Sequence, residues 1–440
     1  MAGNTDLGPK IKIIFVSLFR KFYREKIIRT CMKLTTVILL LCLLTGTVAA
    51  LQIQLPTSLF STPVTTDLVP VSSFECGQRF SAGDYPVIVL SGTYREMGRQ
   101  YGGLMKIELN EEYQFLLSRF AKGGYSQEQL RNMSREAAYL YPQRQKEIFS
   151  GMAETSGLQP EDILLIYNGL IYSIILPQAN ASCSYLAVWG NYTTDGSVIA
   201  SRNWDLDDSL GSPFNKWYVL AVYRPADGSN AVATFGPTGM RPETLMNSKG
   251  LFIADDNSGT SEAGGDGIPR PDLIAEFFRF MLDYSDLDGL QAGILGARPD
   301  VPWIVDIAGP GKAYVYEVMA GTARPRTGDG VIAAANHFMD PAWNLSTPPA
   351  DHSVSRYDNL LRQAGEARGS IDAARMMQIR DVRWEDGGAT FMHSVLFSSY
   401  PDMRFSSNHQ VVFQPDTRTL WMKVMEKGWQ KVELGPLFGR

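Results

Sequence analysis

Residues 180–208 read NASCSYLAVWGNYTTDGSVIASRNWDLDD. Cys183 opens an alternating strand pattern, Ser184 to Val188, and Thr194-Asp195-Gly196 gives a hairpin signal. A second strand, Ser197 to Ala200, then runs into Arg202-Asn203-Trp204-Asp205. A tight turn between two short strands carries Arg202 and Asp205 back beside Cys183. A thiol, a guanidinium and a carboxylate gathered at one end of a hairpin form a candidate catalytic set.

The texture of the chain changes at Ala181. Upstream, Thr93-Tyr94-Arg95-Glu96 is a capping box, and apolar residues from Met97 to Phe120 recur at three- and four-residue steps. Ser126 to Gln129 is a second capping box, and Pro160 opens a third helix, so residues 90 to 175 are mostly helical. Downstream, short strands dominate, with helices in blocks near Pro271–Tyr284, Ser355–Gln363 and Ile371–Arg380. Strand runs with segregated helices predict an α+β fold of antiparallel sheets packed together and covered by helices. Residues 258–267 read as a Gly-rich, acidic surface loop.

At 440 residues and 45% hydrophobic, the chain can bury a large core. Its net charge of −5 gives no reason to expect nucleic acid as a partner. Met32-Lys33 followed by LTTVILLLCLLTGTVAA has the form of a secretory signal, with an apolar run short of a transmembrane span. Ahead of it, Lys10, Lys12, Arg20, Lys21, Arg24, Lys26 and Arg29 make the leader basic. Residues 1–50 read as a basic leader plus a signal peptide or membrane anchor, the first 31 being an extended n-region, an uncleaved anchor or residues upstream of a true start at Met32, and export is expected in each case, secreted or tethered. Residues 51–90 read as a linker and lead-in, the first part rich in Pro, Ser and Thr.

Export leaves Cys76 and Cys183 in the mature chain, and an oxidising compartment permits a disulfide between them. Sequons stand at Asn132, Asn180, Asn191 and Asn344. No phosphate-binding glycine loop, dinucleotide fingerprint or serine nucleophile elbow is present. His337, His352, His393 and His409 show no metal-ligand spacing, so neither a metal nor a cofactor is expected.

The pattern C-S-x-L-A-V-W-G, T-x-D-G, R-N-W-D resembles the N-terminal-nucleophile (Ntn) hydrolases with an N-terminal cysteine. The nearest branch is peptidase family C45, the acyl-CoA:6-aminopenicillanic acid acyltransferases; choloylglycine hydrolases and penicillin V acylases resemble it more distantly. Further segments carry the resemblance in order: Thr93 to Gly102, Met246-Asn247-Ser248-Lys249-Gly250-Leu251, Ala335-Asn336-His337-Phe338, Ser355-Arg356-Tyr357, His393-Ser394-Val395 and Thr419-Leu420-Trp421.

The resemblance implies a four-layer αββα sandwich and a precursor that cuts itself between Ser182 and Cys183. Residues 91–182 would become a helical α chain that stays bound to the catalytic β chain, residues 183–440. Cys183 would then supply a thiol and an α-amine, titrating near 8.5 and 7.7–8.0 in free form. Arg202 would favour the thiolate. Asp205 would accept a hydrogen bond from the α-amine, and the Asn257 amide would donate to the tetrahedral oxyanion. By resemblance Asn336 orients the new N-terminus or completes that hole, and Arg356 closes the charged cluster. The implied substrate is a small N-acyl amide, cleaved or acyl-transferred through a thioester on Cys183. An inactive exported binding homologue, with Cys183 bridged to Cys76, is the alternative. Tyr185, Trp204, Phe277, Phe278 and Phe280 are candidates for an acyl pocket, with core packing the better reading. Asn180 is expected to be unglycosylated, because a glycan there would crowd the substrate entrance.

Overall fold

The computed structural model describes residues 64–65, 67–175, 181–260, 273–297, 302–319, 321–392, 395–397 and 400–439. The leader, the Gly-rich stretch from 261 onward, Asn180 and His393-Ser394 lie outside these residues. No helix among the described residues is long and apolar enough to cross a membrane.

Strands β1 (Val64–Thr65), β2 (Val69–Phe74), β3 (Gly77–Ala82) and β4 (Tyr85–Gly92) come first. A helical block follows: α1 (Tyr94–Leu104), α2 (Lys106–Lys122), α3 (Gln127–Ala137), α4 (Gln143–Ser156) and α5 (Pro160–Ile175). Next come β5 (Ala181–Val188), β6 (Ile199–Asp207), α6 (Asp208–Phe214), β7 (Tyr218–Pro225), β8 (Val232–Pro237), β9 (Thr244–Asn247) and β10 (Phe252–Asn257). Helices α7 (Leu273–Asp283) and α8 (Leu287–Ala297) lead to β11 (Trp303–Gly309), β12 (Lys312–Met319), β13 (Thr322–Arg326) and β14 (Val331–Ala334). The chain continues through α9 (Asp351–Glu366), α10 (Ala373–Asp381), β15 (Val395–Phe397), β16 (Tyr400–Gln414), β17 (Thr419–Val424), β18 (Gln430–Glu433) and α11 (Leu434–Leu437).

The strands form two sheets. The first has the order β1-β18-β17-β16-β6-β5-β14, with β15 paired to β16; the second runs β13-β12-β11-β10-β9-β8-β7-β4-β3-β2. Pairing is antiparallel except for β1 with β18 and β4 with β7. The sheets face each other across aromatic contacts: Tyr185 of β5 stacks on Phe252 of β10 at 6.1 Å, and Phe252 on Phe413 of β16 at 6.1 Å. Because strand side chains alternate, the residues next to Tyr185 point the other way. Leu186 and Val188 pack outward with Leu360 of α9 and Met376 and Met377 of α10. On the outer face of the second sheet, Tyr223 of β7 meets Phe278 of α7 and Tyr101 of α1. The layers are helix, sheet, sheet, helix, an α+β sandwich.

Both expected capping boxes are formed, at Thr93 and Ser126, and Pro160 stands at the first position of α5. The apolar row from Met97 to Phe120 is split between two helices, with Met105 closing α1 and leading α2. Helices α1 and α4 cross very closely. A Cβ on Gly98 would lie 2.1 Å from the Ile148 carbonyl oxygen, and one on Gly151 would lie 2.1 Å from that of Arg95.

Three features differ from the sequence reading. Residues 69–92, all but the last two placed in the lead-in, hold β2, β3 and β4, and β4 enters the second sheet beside β7. The apolar run in YPVIVLSG follows a Pro/Ser/Thr-rich stretch, and a parallel partner 133 residues on leaves no local hairpin signal. The hairpin is not tight, since β5 and β6 are joined by residues 189–198, with a turn of 3₁₀ helix at Gly190–Tyr192. Finally, Cys76 and Cys183 are free thiols, so the disulfide left open above is not formed. Cys76 is exposed at the β2–β3 turn on the edge of the second sheet, whereas Cys183 is buried inside the first.

Candidate active site

The site forms where β5 outruns its neighbour. Strand β14 pairs with Tyr185 to Val188 of β5 and stops at Ala334, which faces Tyr185. Beyond that point β5 has β6 on one side only. The side chain of Asn336, just past β14, takes up the vacant ladder position: its Oδ1 accepts the Cys183 backbone N–H at 2.9 Å. The same oxygen accepts Ser182 Oγ at 2.7 Å and Arg356 Nη2 at 2.6 Å. Asn336 Nδ2 donates to the Asn257 backbone carbonyl at 2.7 Å, which ties β5 to the end of β10 across the two sheets.

Register then decides which groups share a face. Cys183 is opposite Trp204, Ser182 opposite Asp205, and Tyr185 opposite Arg202. Cys183 and Arg202 therefore point between the sheets, while Ser182 and Asp205 point outward to α9. The three groups expected together are split by the strand. Arg202 and Asp205 are three residues apart, an odd separation in a structure of period two.

On the inner face, Arg202 Nη2 donates to Cys183 Sγ at 3.3 Å. Its guanidinium also donates to Thr244 Oγ1 at 2.9 Å, to the Asp255 carbonyl and to Glu243 Oε2 at 3.3 Å, and its Nε lies 3.5 Å from Asp256. Trp204 Nε1 anchors Glu243 at 2.6 Å. On the outer face, Arg356 of α9 donates from Nη1 to the Cys183 carbonyl at 2.8 Å and to Asp205 Oδ2 at 3.1 Å. Its Nη2 donates to Ser182 Oγ at 2.6 Å. Asp205 Oδ1 accepts Ser407 Oγ. Arg380 of α10 holds the next rungs through Ser184 and Ser201. Arg202, Arg356 and Arg380 are all fully buried.

Electrostatics depart from expectation at the thiol. Burial pushes Cys183 well above its ordinary value; Arg202 pulls it down, and Asp256, Glu243 and Asp205 push it up again. In the uncut chain the thiol is neutral, because desolvation outweighs the pull of the Arg202 guanidinium. Burial also raises Asp205 to about 6, against the opposing pull of Arg356 and the Ser407 hydrogen bond. The Cys183 nitrogen is held by Asn336, whereas Asp205 is occupied by Arg356 and Ser407.

Asn257 occupies two positions at once. Its Oδ1 accepts Gly259 N–H at 2.9 Å in an Asx turn, and its backbone carbonyl receives Asn336. Tyr185, Trp204, Phe277, Phe278 and Phe280 are buried in the core. Phe278 also borders a cavity of about 40 Å³ on the outer face of the second sheet. Sequence reasoning missed Glu243, Thr244, Asp255, Asp256 and Ser407. One signal was legible: two adjacent carboxylates, Asp255-Asp256, directly after the apolar start Phe252-Ile253-Ala254 of the strand. No cluster among the described residues could hold a metal ion.

No family model and no curated protein matches the chain. Among solved structures it is similar to a mutant conjugated bile acid hydrolase from Clostridium perfringens, at 13% identity and a TM-score of 0.40, covering 59% of this chain and 94% of that one. It is also similar to penicillin V acylase from Agrobacterium tumefaciens, at 12% identity and a TM-score of 0.39, covering 56% and 85%. At these scores the likeness carries no weight of its own, and the chemistry rests on the atoms around Cys183.

Proposed function

We propose that the chain is a self-processing cysteine amidohydrolase of the Ntn type, in which Cys183 attacks first its own chain and then a small N-acyl amide. One observation carries this reading: the nitrogen and the sulfur of Cys183 are held separately, the nitrogen by Asn336 and the sulfur by Arg202. Any buried backbone N–H needs an acceptor, but a cysteine serving only the core needs no guanidinium on its sulfur. A residue that must act as thiol and amine together needs both.

In the first reaction Sγ attacks the Ser182 carbonyl carbon. The Ser182–Cys183 C–N bond breaks as the thiol proton passes to the departing nitrogen, which becomes an α-amine, and Ser182 is left as a thioester. Water hydrolyses that thioester to the Ser182 carboxylate and returns the thiol. The cut puts an ionisable amine beside the thiol in place of an amide. In the second reaction the α-amine takes the thiol proton while Sγ attacks the substrate carbonyl. Asn257 Nδ2, the end of that amide not used in the Asx turn, donates to the oxyanion. The α-ammonium protonates the leaving amine, and water, deprotonated by the same amine, releases the acid. Arg202 steadies the sulfur, Asn336 aims the amine, and Arg356 with Asp205 fixes the strand that carries both.

Wild-type protein is expected to separate into two bands on a denaturing gel, the larger starting at Cys183 by N-terminal sequencing. Cys183→Ala should run as one uncut chain, and persistence of two chains in that variant would sink self-processing. Release of acid from a panel of N-acyl amides then tests the second reaction.

A further inference from the structure

His409 of β16 is buried between the sheets, and neither reaction above calls on it. It faces inward because β16 carries a bulge. Ser407 is opposite Asp205 and His409 opposite Trp204, so Asn408 has no partner on β6. Residues two apart in a regular strand share a face. Here the extra residue sends Ser407 outward to Asp205 and His409 inward beside Trp204. Helix α6 makes room for the bulge at Gly211, where a Cβ would lie 2.2 Å from Asn408 Oδ1. Asn215, just past α6, accepts Asn408 Nδ2 at 3.2 Å.

Aromatic rings fix the imidazole, with centroids 5.1 Å away at Trp204, 5.4 Å at Tyr218 and 5.3 Å at Phe235. Its Nδ1 faces Tyr218 Oη at 3.2 Å, and its Nε2 faces Thr244 Oγ1 at 3.5 Å. Thr244 Oγ1 already accepts Arg202 Nη1–H at 2.9 Å, so its own proton turns to Nε2 and the ring carries its proton on Nδ1. Burial, with the Arg202 charge nearby, holds His409 well below its ordinary value and keeps it neutral. Beyond these partners, Glu243 lies behind Trp204 Nε1, and Glu112 and Tyr85 lie near Tyr218.

The Arg202 guanidinium is contested. Its Nη2 faces the sulfur but also Glu243 and the Asp255 carbonyl, and its Nε faces Asp256. Those carboxylates compete with Cys183 for the cation, and Thr244 holds the fork at Nη1. A further carboxylate behind Thr244 would hold it too, but would push the thiol still higher. A neutral imidazole supplies the acceptor without the charge. Resting on the function proposed above, we infer that His409 is a positioning residue, which through Thr244 keeps the Arg202 guanidinium against Cys183 Sγ.

The test follows self-cleavage of the full chain on denaturing gels from about pH 5.5 to 8, across the ordinary range of histidine. His409→Leu and Thr244→Val should each slow the cut by about tenfold. The double variant should be no more than about twofold slower than either single, because both break one path. His409→Gln, whose amide oxygen accepts from Thr244, should stay within about threefold of wild type, at a ratio that is flat with pH. His409→Leu at the wild-type rate, His409→Gln as slow as His409→Leu, losses that multiply in the double variant, or a ratio that changes through the histidine range would overturn the inference. Should circular dichroism show His409→Leu unfolded, a slow Thr244→Val beside a near-normal His409→Gln supports the inference, and any other result overturns it. A wild-type chain that does not cut itself would instead remove the function proposed above. Crystal structures then decide the positioning: Arg202 Nη2 should leave Cys183 Sγ by about 1 Å or more in Thr244→Val and stay in His409→Gln, and an unmoved guanidinium in Thr244→Val overturns it.

Discussion

The Cys183 residue is bracketed by two buried arginines on opposite faces of one strand. Arg202 meets the sulfur, and Arg356 meets the carbonyl and, through Ser182 and Asn336, the nitrogen side. If Asn336 aims that nitrogen, Asn336→Ala should slow self-cleavage by about 10²-fold while leaving the fold intact, as misplacement by an ångström does. Time courses on denaturing gels, with circular dichroism as the folding control, measure this. Asp205 gives a pH signature. It holds its proton up to about pH 6 in the fold and to about 3.9 in the unfolded chain. Its contribution to stability is therefore full below about pH 4 and is lost as pH rises through about 6. Asp205→Asn cannot titrate, so the melting temperature of the variant relative to wild type should improve from pH 4 to pH 7. A difference that is flat or falls over that range would show that Asp205 is not protonated in the fold.

Elements position these residues by where they stop. β14 ends one register short, and the Asn336 side chain fills the gap because Gly259 lets the backbone pass against it. Gly259 has φ +66°, and a Cβ there would lie 2.3 Å from the Asn336 carbonyl oxygen. Gly259→Ala should displace Asn336 and suppress processing, with little change in secondary structure. Processing at the wild-type rate would mean that the nitrogen is aimed by something else. The family-like turn at 246–251 also has a physical role. Asn247 Oδ1 accepts Lys249 and Leu251 N–H at 3.0 Å each, and its Nδ2 donates to Met281 and Tyr284 at the end of α7. That turn fixes β9 against β10, and with it the Asp255–Asn257 end facing Cys183.

At the scale of the molecule, the cut would not divide the fold. Strands β2, β3 and β4 precede Cys183, yet β4 pairs with β7 over six residue pairs from Val87↔Leu220 to Gly92↔Pro225. The two products would share a sheet as well as the helical layer. They should co-elute on gel filtration in native buffer and separate only in denaturant. Separation in native buffer would mean that the shared sheet does not survive the cut.

The sequence by itself determined the local events: capping boxes at Thr93 and Ser126, the change from helices to strands at Ala181, the β5–β6 hairpin and the identity of its cysteine. These depend on neighbours in the chain, whose spacing is the signal. Tertiary structure alone decided which face each group serves. The odd spacing of Arg202 and Asp205 already put them on opposite faces, but only the second sheet and α9 give those faces meaning. It alone placed Asp255 and Asp256 of β10 beside Arg202, inserted β4 next to β7, and left the thiol neutral. Burial and long-range register arise from segments far apart in sequence, and no local pattern records them.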